Sequence, residues 1–419
     1  MVIPKRAYLG LVCGALLAGQ APPDTLLLAR IRVKMAENLA GLPNYTCTET
    51  IERSRREVPA KRYKLMDVVR LEVALVNGRE LFAWPGERNF QDREVSDMVT
   101  GGAIGNGNFA LHAKSIFQGE AASFAYRGRE EVNGRAAVRY DYEVPRDRSG
   151  LWLRVGEARG IAGYRGSFWA DAESLDLIRL EVRTTVIPPN VPLAGSRSAM
   201  EYERVAIGDH DYLLPGSSEL ALTDLNGNES RNRVQLTNCR QYTGESTLTF
   251  GEAPSAAAAV AEPAREFEVP EHIELEVLFE EGLRLEGAAV GDRVEGIVAR
   301  EGRLRRMLVI PKRAQVVGRV TLVRRDAGAG YALLGVELTE VNFPGHRGKL
   351  RAHLLEAGSF AVLDNWRLLS TGPSQQLRGR LRAPADTRNV FAIPGNAGAR
   401  SRLALRTLWR TEPLPKETP

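Results

Sequence analysis

Residues 166–182, GSFWADAESLDLIRLEV, decide the fold class. Gly166 to Ala170 makes one arm, Asp171 to Asp176 a polar turn, and Leu177 to Val186 the second arm. In the second arm Ile178, Leu180 and Val182 alternate with Arg179, Glu181 and Arg183. A period of two sends successive side chains to opposite faces, so the stretch reads as a hairpin with one apolar and one wet face.

The same pattern extends both ways. Leu71, Val73 and Leu75 alternate up to Asn77-Gly78, and Leu81 to Trp84 returns. Asn133-Gly134 precedes an arm with Val138, Tyr140, Tyr142 and Val144 on one face. A third Asn-Gly stands at 226–227. Asn-Gly is the strongest short hairpin signal because the tightest turn needs positive φ at both central residues. Residues 22–250 therefore predict one large antiparallel sheet. Before it lies a helix over 25–40, with Asp24 as its cap, Leu28, Ile31, Met35 and Leu39 on one face, and Gly41 and Pro43 at its end. Residues 101–119 read as a glycine loop and a short helix, with Phe109, Ala113, Ile116 and Phe117 on a shared face. Residues 187–199 read as a proline-rich loop.

Residues 251–266, GEAPSAAAAVAEPARE, read as an Ala/Pro-rich linker. From Phe267 short β-rich runs recur as far as Leu355, and 356–400 is looser. Leu403, Leu405, Thr407 and Trp409 then alternate like a last strand that closes a small barrel over 267–412. Residues 413–419 are left as a disordered tail.

Lys5 and Arg6 followed by the apolar run 7–18 read as a signal peptide over 1–21. That implies export to the periplasm or outer cell envelope. Cys13 lies inside the signal, and Val12 before it is a poor residue for lipoprotein processing; lipidation and the cleavage site stay open. Cys47 and Cys239 remain, an even pair in an oxidising compartment, and are expected to join. The net charge of +5 falls to +3 if Lys5 and Arg6 are removed. Acids and bases are interspersed, which excludes a nucleic-acid stripe. No second apolar stretch is long enough to span a bilayer.

Three segments carry a family resemblance: VNGRELFAWPG (76–86), VNGRAAVRYDYEVP (132–145) and GSFWADAESLDLIRLEV (166–182). With them residues 30–250 resemble the outer-membrane lipoprotein-sorting superfamily, the LolA/LolB-like half-barrels. The resemblance implies a strongly curved sheet with helices in its concave mouth, binding acyl chains or a lipoprotein. Residues 273–355 are similar to the C-terminal β-barrel of TrbI-type conjugation proteins, through AAVGDRVEGIVAR and LVIPKRAQVVGRV. That implies a docking module for an envelope partner. The opening segment LLARIRVKMAENLAGLPNYTCTETIERSRR resembles exported proteins of acidobacterial soil bacteria.

No residue set points to catalysis, a cofactor or a metal. The five histidines, His112, His210, His272, His346 and His353, lack ligand spacing. Asp224, Asn226, Asn228 and Glu229 read as a polar hairpin turn in preference to a calcium loop. No Gly-x-Ser-x-Gly elbow occurs. The candidate ligand-binding residues are Phe82, Trp84, Phe117, Tyr140, Tyr142 and Trp169, either lining an apolar groove or forming an ordinary core under the two helices. The expectation is an exported, non-enzymatic binding protein whose ligand is a lipid, acyl chain or lipidated protein. The alternative is an assembly component with no ligand cavity.

Overall fold

The computed structural model describes residues 23–87, 89–92, 95–99, 109–242, 264–283, 285–326, 331–364, 367–368, 388–394 and 403–415. The expected signal peptide with Cys13, the glycine loop 101–107, most of the linker 251–266 and the end of the tail lie outside these residues.

Helix α1 spans Pro23–Ala40, beginning two residues before the expected start. Proline suits a first helical turn, where its missing N–H leaves no bond unmade. Strands β1 (Tyr45–Arg56), β2 (Lys64–Val76) and β3 (Arg79–Ala83) follow, then helix α2 (Phe109–Phe117). Next come β4 (Ser123–Val132), β5 (Arg135–Val144), the small hairpin of β6 (Trp152–Val155) and β7 (Ala158–Ile161), β8 (Gly163–Asp171) and β9 (Leu177–Val186). The run ends with β10 (Leu193–Ile207), β11 (His210–Asp224) and β12 (Glu229–Gln241).

Ten of these strands make one antiparallel sheet in the order β3-β2-β1-β12-β11-β10-β9-β8-β5-β4. The chain thus enters at the middle, and its first and last strands are neighbours. β3 and β4 are opposite edges, so the connection 84–122 must travel from one edge to the other. It carries α2 onto the concave face. There Ala113, Ile116 and Phe117 from α2 and Ile31 and Met35 from α1 share one core with Ile51, Val69, Leu71, Tyr140, Phe168 and Leu180 from the sheet. Two hairpin turns have the expected geometry: Asn77 and Gly78 at φ 52° and 75°, and Asn133 and Gly134 at the same values. The third does not. Only Gly227 is at positive φ, and the Asp224 carboxylate accepts from the N–H groups of Asn226 (2.8 Å) and Asn228 (2.9 Å) in a longer loop. In the β8–β9 turn Asp171 Oδ1 likewise accepts from the N–H of Glu173 and Ser174.

Cys47 on β1 and Cys239 on β12 are joined, closing a separation of 192 residues. Register slips between Thr46 and Thr48, and Asn238 stands at φ 52° in the bulge beside the bridge.

The second sheet is built from β13 (Arg265–Glu268), β14 (Glu274–Leu283), β15 (Arg293–Arg300), β18 (Gln315–Asp326), β19 (Tyr331–Phe343) and β20 (His346–Lys349). It continues with β21 (Ala352–Ala357), β22 (Ala361–Asp364), β23 (Arg367–Leu368), β24 (Val390–Pro394) and β25 (Leu403–Thr411). β16 (Gly302–Leu304) and β17 (Met307–Ile310) form a separate hairpin. The main path runs β21-β25-β14-β15-β18-β19-β24-β22-β23. A bridge between Ala357 and Phe360 brings β21 back beside β22. The sheet thereby curls around its own core, with Trp409 of the last strand fully buried in it.

A seam joins the two sheets. β3 pairs only with residues 72–76 of β2, which leaves 68–70 as an open edge. Val290 fills it: its N–H donates to Val68 O and its carbonyl accepts from Arg70 N, both at 2.8 Å. The side chain of Val290 joins the core of the first sheet. Arg70 pairs with Asp292, and Arg319 lies 5.1 Å from the Trp84 ring while pairing with Glu87 at 3.2 Å. Gly291 makes the close approach possible. Its φ is +99°, and an added Cβ would stand 2.3 Å from Arg70 O and 2.6 Å from the Trp84 ring. Gly291→Ala is expected to open the seam. Limited proteolysis should then cut between the two sheets faster than in the wild type, and unchanged cleavage would show the seam to be incidental.

Candidate functional site

The candidate site is the concave face, where strand alternation decides which side chains arrive. On β5 the even positions point inward, bringing Tyr140 and Tyr142; on β8 Phe168 does. Tyr140 stacks on Phe168 with centroids 5.3 Å apart, and Phe117 from α2 meets Phe168 edge-on at 4.9 Å. Phe82 from β3 and Trp84 beyond it reach the same core from the seam side. All six sequence-predicted residues are buried, none more than 7% exposed. Five of them share the concave core.

Trp169 does not. It follows Phe168 on a strand, so it points to the opposite, convex face and packs with Ala137 and Ile178. There its ring lies between Arg139 (5.2 Å) and Arg179 (5.8 Å), and its Nε1 donates to Glu130. The sequence pattern grouped it with the other aromatics because composition, not parity, was followed across the Phe168–Trp169 step.

The helices fill the mouth in this state. They are tied to the sheet and to each other by few polar bonds. Arg32 of α1 donates to Phe117 O (3.0 Å) and Gly119 O (3.1 Å). Tyr140 OH donates to Asp24 O at 2.6 Å, and Asn38 donates to Asp176 Oδ1 at 3.2 Å.

One residue that sequence reasoning missed stands out. Glu49 on β1 is 1% exposed, and neither carboxylate oxygen has a hydrogen-bond partner. It follows inward-facing Cys47 and precedes inward-facing Ile51 on the same strand face. The sequence signal was its place in the odd series Tyr45, Cys47, Glu49, Ile51. Burial pushes its carboxyl well above the usual range, and the charge of Glu80 adds to this. Burial also pushes Glu80 up, from its ordinary 4.5 to about 7. The Tyr45 and Tyr202 hydroxyls are raised as well, chiefly by burial, then by Glu80 for Tyr45 and by Tyr45 for Tyr202. His112 on α2 is lowered to about 4 by burial and is neutral at physiological pH.

These shifts set a pH dependence. Glu49 and Glu80 hold protons more tightly when folded than when unfolded, so unfolding releases protons. The stability that these two protonated carboxyls contribute is therefore fully present below the ordinary carboxylate range, whereas buried His112 and paired Glu229 lose theirs as pH falls. The carboxyl contribution falls as pH rises from about 4.5 through 7, where Glu80 loses its proton. Urea midpoints of the wild type and Glu49→Gln at a series of pH values should differ in slope, the wild type losing more stability as pH rises. The same pH dependence in the wild type and Glu49→Gln would contradict the assignment.

Two carboxylates elsewhere are satisfied by ordinary pairing. Glu229 is lowered to about 2 by bonds from Arg197, Tyr63 and Arg56. Arg53 pairs with Asp67 at 2.5 Å. Among the described residues no group of three or more His, Cys, Asp or Glu is placed to hold a metal ion. A cavity of about 390 Å³ opens on the convex face between Arg135, Ile178, Glu203 and Gln235, away from the aromatic core. No described helix is long and apolar enough to cross a membrane.

Comparison with known proteins yields structural likeness alone. No protein-family model matches the chain, and no curated protein matches it. Among solved structures it is similar to a domain named for outer membrane lipoprotein sorting, from Vibrio parahaemolyticus. That match has 14% identity and a TM-score of 0.29, and covers 51% of this chain and 92% of the other. It is also similar to a DUF1329 family protein from Desulfovibrio piger, at 11% identity and a TM-score of 0.29, over 54% of this chain and 96% of that one. LprF from Mycobacterium bovis matches at 10% identity and a TM-score of 0.22, over 53% and 95%.

Proposed function

We propose that the chain is an exported, non-enzymatic protein of the cell envelope whose half-barrel holds a lipid, an acyl chain or a lipidated protein. The ligand would take the place of α1 and α2 on the concave face. The observation that supports this is the way that face is covered. An apolar layer that includes Tyr140, Phe168 and Leu180 is closed by two short helices with few polar ties, not by a second sheet. An acyl chain gains about 0.8 kcal/mol for each CH₂ it buries, enough to compete with such a cover. Glu49 is an unsatisfied group in that layer, as is Ser218 opposite Met200, and buried polar atoms without partners are rare in a finished core. In this reading residues 22–250 form the carrier domain, and the barrel over 267–412 docks an envelope partner.

One observation favours the rival, an assembly component with no ligand: every candidate aromatic is already buried. A fluorescent acyl probe separates the two. The wild type should bind it saturably. A variant with Asn38→Cys and Asp176→Cys, oxidised to pin α1 to the β8–β9 turn, should not. Equal binding by both would show that α1 does not move aside. No binding by either would favour the assembly role.

A further inference from the structure

Antiparallel pairing sorts the connections of the half-barrel to two ends. The Asn77-Gly78, Asn133-Gly134 and 171–176 turns lie at the disulfide end. The β1–β2 hairpin, the β6–β7 excursion, the β9–β10 loop and the β11–β12 turn lie at the other. Eleven large apolar side chains stand out from the described surface, and six are at this second end: Val58, Leu65, Met66, Trp152, Val186 and Leu225. They are between 38 and 69% exposed. Singly exposed apolar residues need no explanation, but a one-ended concentration does.

The charge at this end has one sign in excess. Residues 55–64 carry Arg55, Arg56, Lys61, Arg62 and Lys64 against Glu57 alone. Arg55 and Arg56 are paired with Glu57 and Glu229. Lys61, Arg62 and Lys64 are exposed and have no carboxylate partner among the described residues. Arg148 beside the β6–β7 hairpin is also exposed, and Arg159 lies 5.9 Å from the Trp152 ring. Apolar tips that end in a tryptophan and are ringed by free cations suit the boundary of a lipid layer. The tips enter the acyl edge, the indole sits at headgroup depth, and the ammonium and guanidinium groups meet anionic headgroups. A protein partner of opposite charge would satisfy the cations but would not need apolar tips spread over four separate connections.

We infer that this end of the half-barrel docks on an anionic lipid surface, with Val58, Leu65, Met66, Trp152 and Leu225 entering it and Lys61, Arg62 and Lys64 holding the headgroups. Docking of this kind stands whether or not the concave face takes a ligand, because none of these residues belongs to that face's core.

Flotation of the full chain with phosphatidylglycerol-rich vesicles and with pure phosphatidylcholine vesicles tests it. The wild type should float with the anionic vesicles, and added salt should weaken the binding. Lys61→Glu with Arg62→Glu and Lys64→Glu should lower partitioning by roughly tenfold or more. Val58→Asp with Leu225→Asp should lower it comparably. Met307→Asp with Leu308→Asp, on the separate and exposed β16–β17 hairpin, should leave it unchanged. A blue shift of emission on anionic vesicles, absent in Trp152→Phe, would place the indole at the surface. No flotation, equal flotation with both vesicle types, or full binding by the two tip variants would overturn the inference. All these positions are exposed, so circular dichroism of each variant separates lost docking from lost folding.

Discussion

Replacing Cys47 and Cys239 together by serine is expected to cost the half-barrel up to about 5 kcal/mol. The bridge closes 192 residues, and the chain entropy it removes from the unfolded state grows with the logarithm of loop length. Its position matters as much as its span. β1 and β12 are the first and last strands of the sheet in chain order, and they pair in its middle. Without the bridge, the three-strand flank β3-β2-β1 and the seven-strand flank from β12 to β4 are held by one ladder, the shared core and side-chain pairs such as Arg240–Glu72 and Arg56–Glu229. Urea unfolding of the double variant should show a midpoint well below that of the wild type. Thiol labelling of the unreduced wild type should find neither Cys47 nor Cys239 free. Full labelling at both, or an unchanged midpoint, would remove the bridge from this account.

Phe168→Ala is expected to lose about 3–5 kcal/mol. Phe168 is fully buried and is the point where sheet and helix cover meet. It stacks on Tyr140 and receives the edges of Phe117 and Phe124. Truncation removes a large apolar area and leaves a void that strands on either side cannot close, because β5 and β9 hold β8 in register. Since α2 rests on that ring, the cover should loosen before the sheet unfolds. Trypsin should cut after Lys114, already exposed on α2, many times faster than in the wild type while the sheet remains intact by circular dichroism. Loss of stability without faster cleavage at Lys114 would mean that α2 is held by something other than this contact.

Local structure was legible wherever one chemistry had one outcome. Asn-Gly at 77–78 and 133–134 demands positive φ twice, and the structure has it. Asp171 in the β8–β9 turn caps two N–H groups, as a short acceptor side chain in a tight turn does. The last strand, Leu403 to Trp409, was readable from alternation, and β25 pairs on both sides with β14 and β21. The paired cysteines were readable from their even number. Strand order was not. Nothing in the residues around Tyr45 or Gln241 states that their strands are neighbours; only the closing of the disulfide bridge hinted at it. The face of Trp169 was misjudged because an aromatic residue on a strand is equally at home inward or, between Arg139 and Arg179, outward. Glu49 escapes a sequence reading because a charged residue in an alternating strand is read as solvent-facing, and its burial between Leu71 and Leu236 is a tertiary fact. The seam at Val290 was hidden for the same reason: AAVGD is an unremarkable loop until the open edge of β2 is set beside it.

These features converge on the cover of the concave face. α1 and α2 lie over an aromatic layer, and Glu49, its carboxyl pushed up by burial, stands within it. If the cover is displaceable the half-barrel is a carrier; if it is permanent the half-barrel is a structural block. Native mass spectrometry of the chain decides this, after gentle purification with the disulfide intact and incubation with a lipid extract. The account predicts a bound mass that extracts as lipid and is lost from the oxidised Asn38→Cys, Asp176→Cys variant. A clean ligand-free mass at every lipid concentration would contradict it.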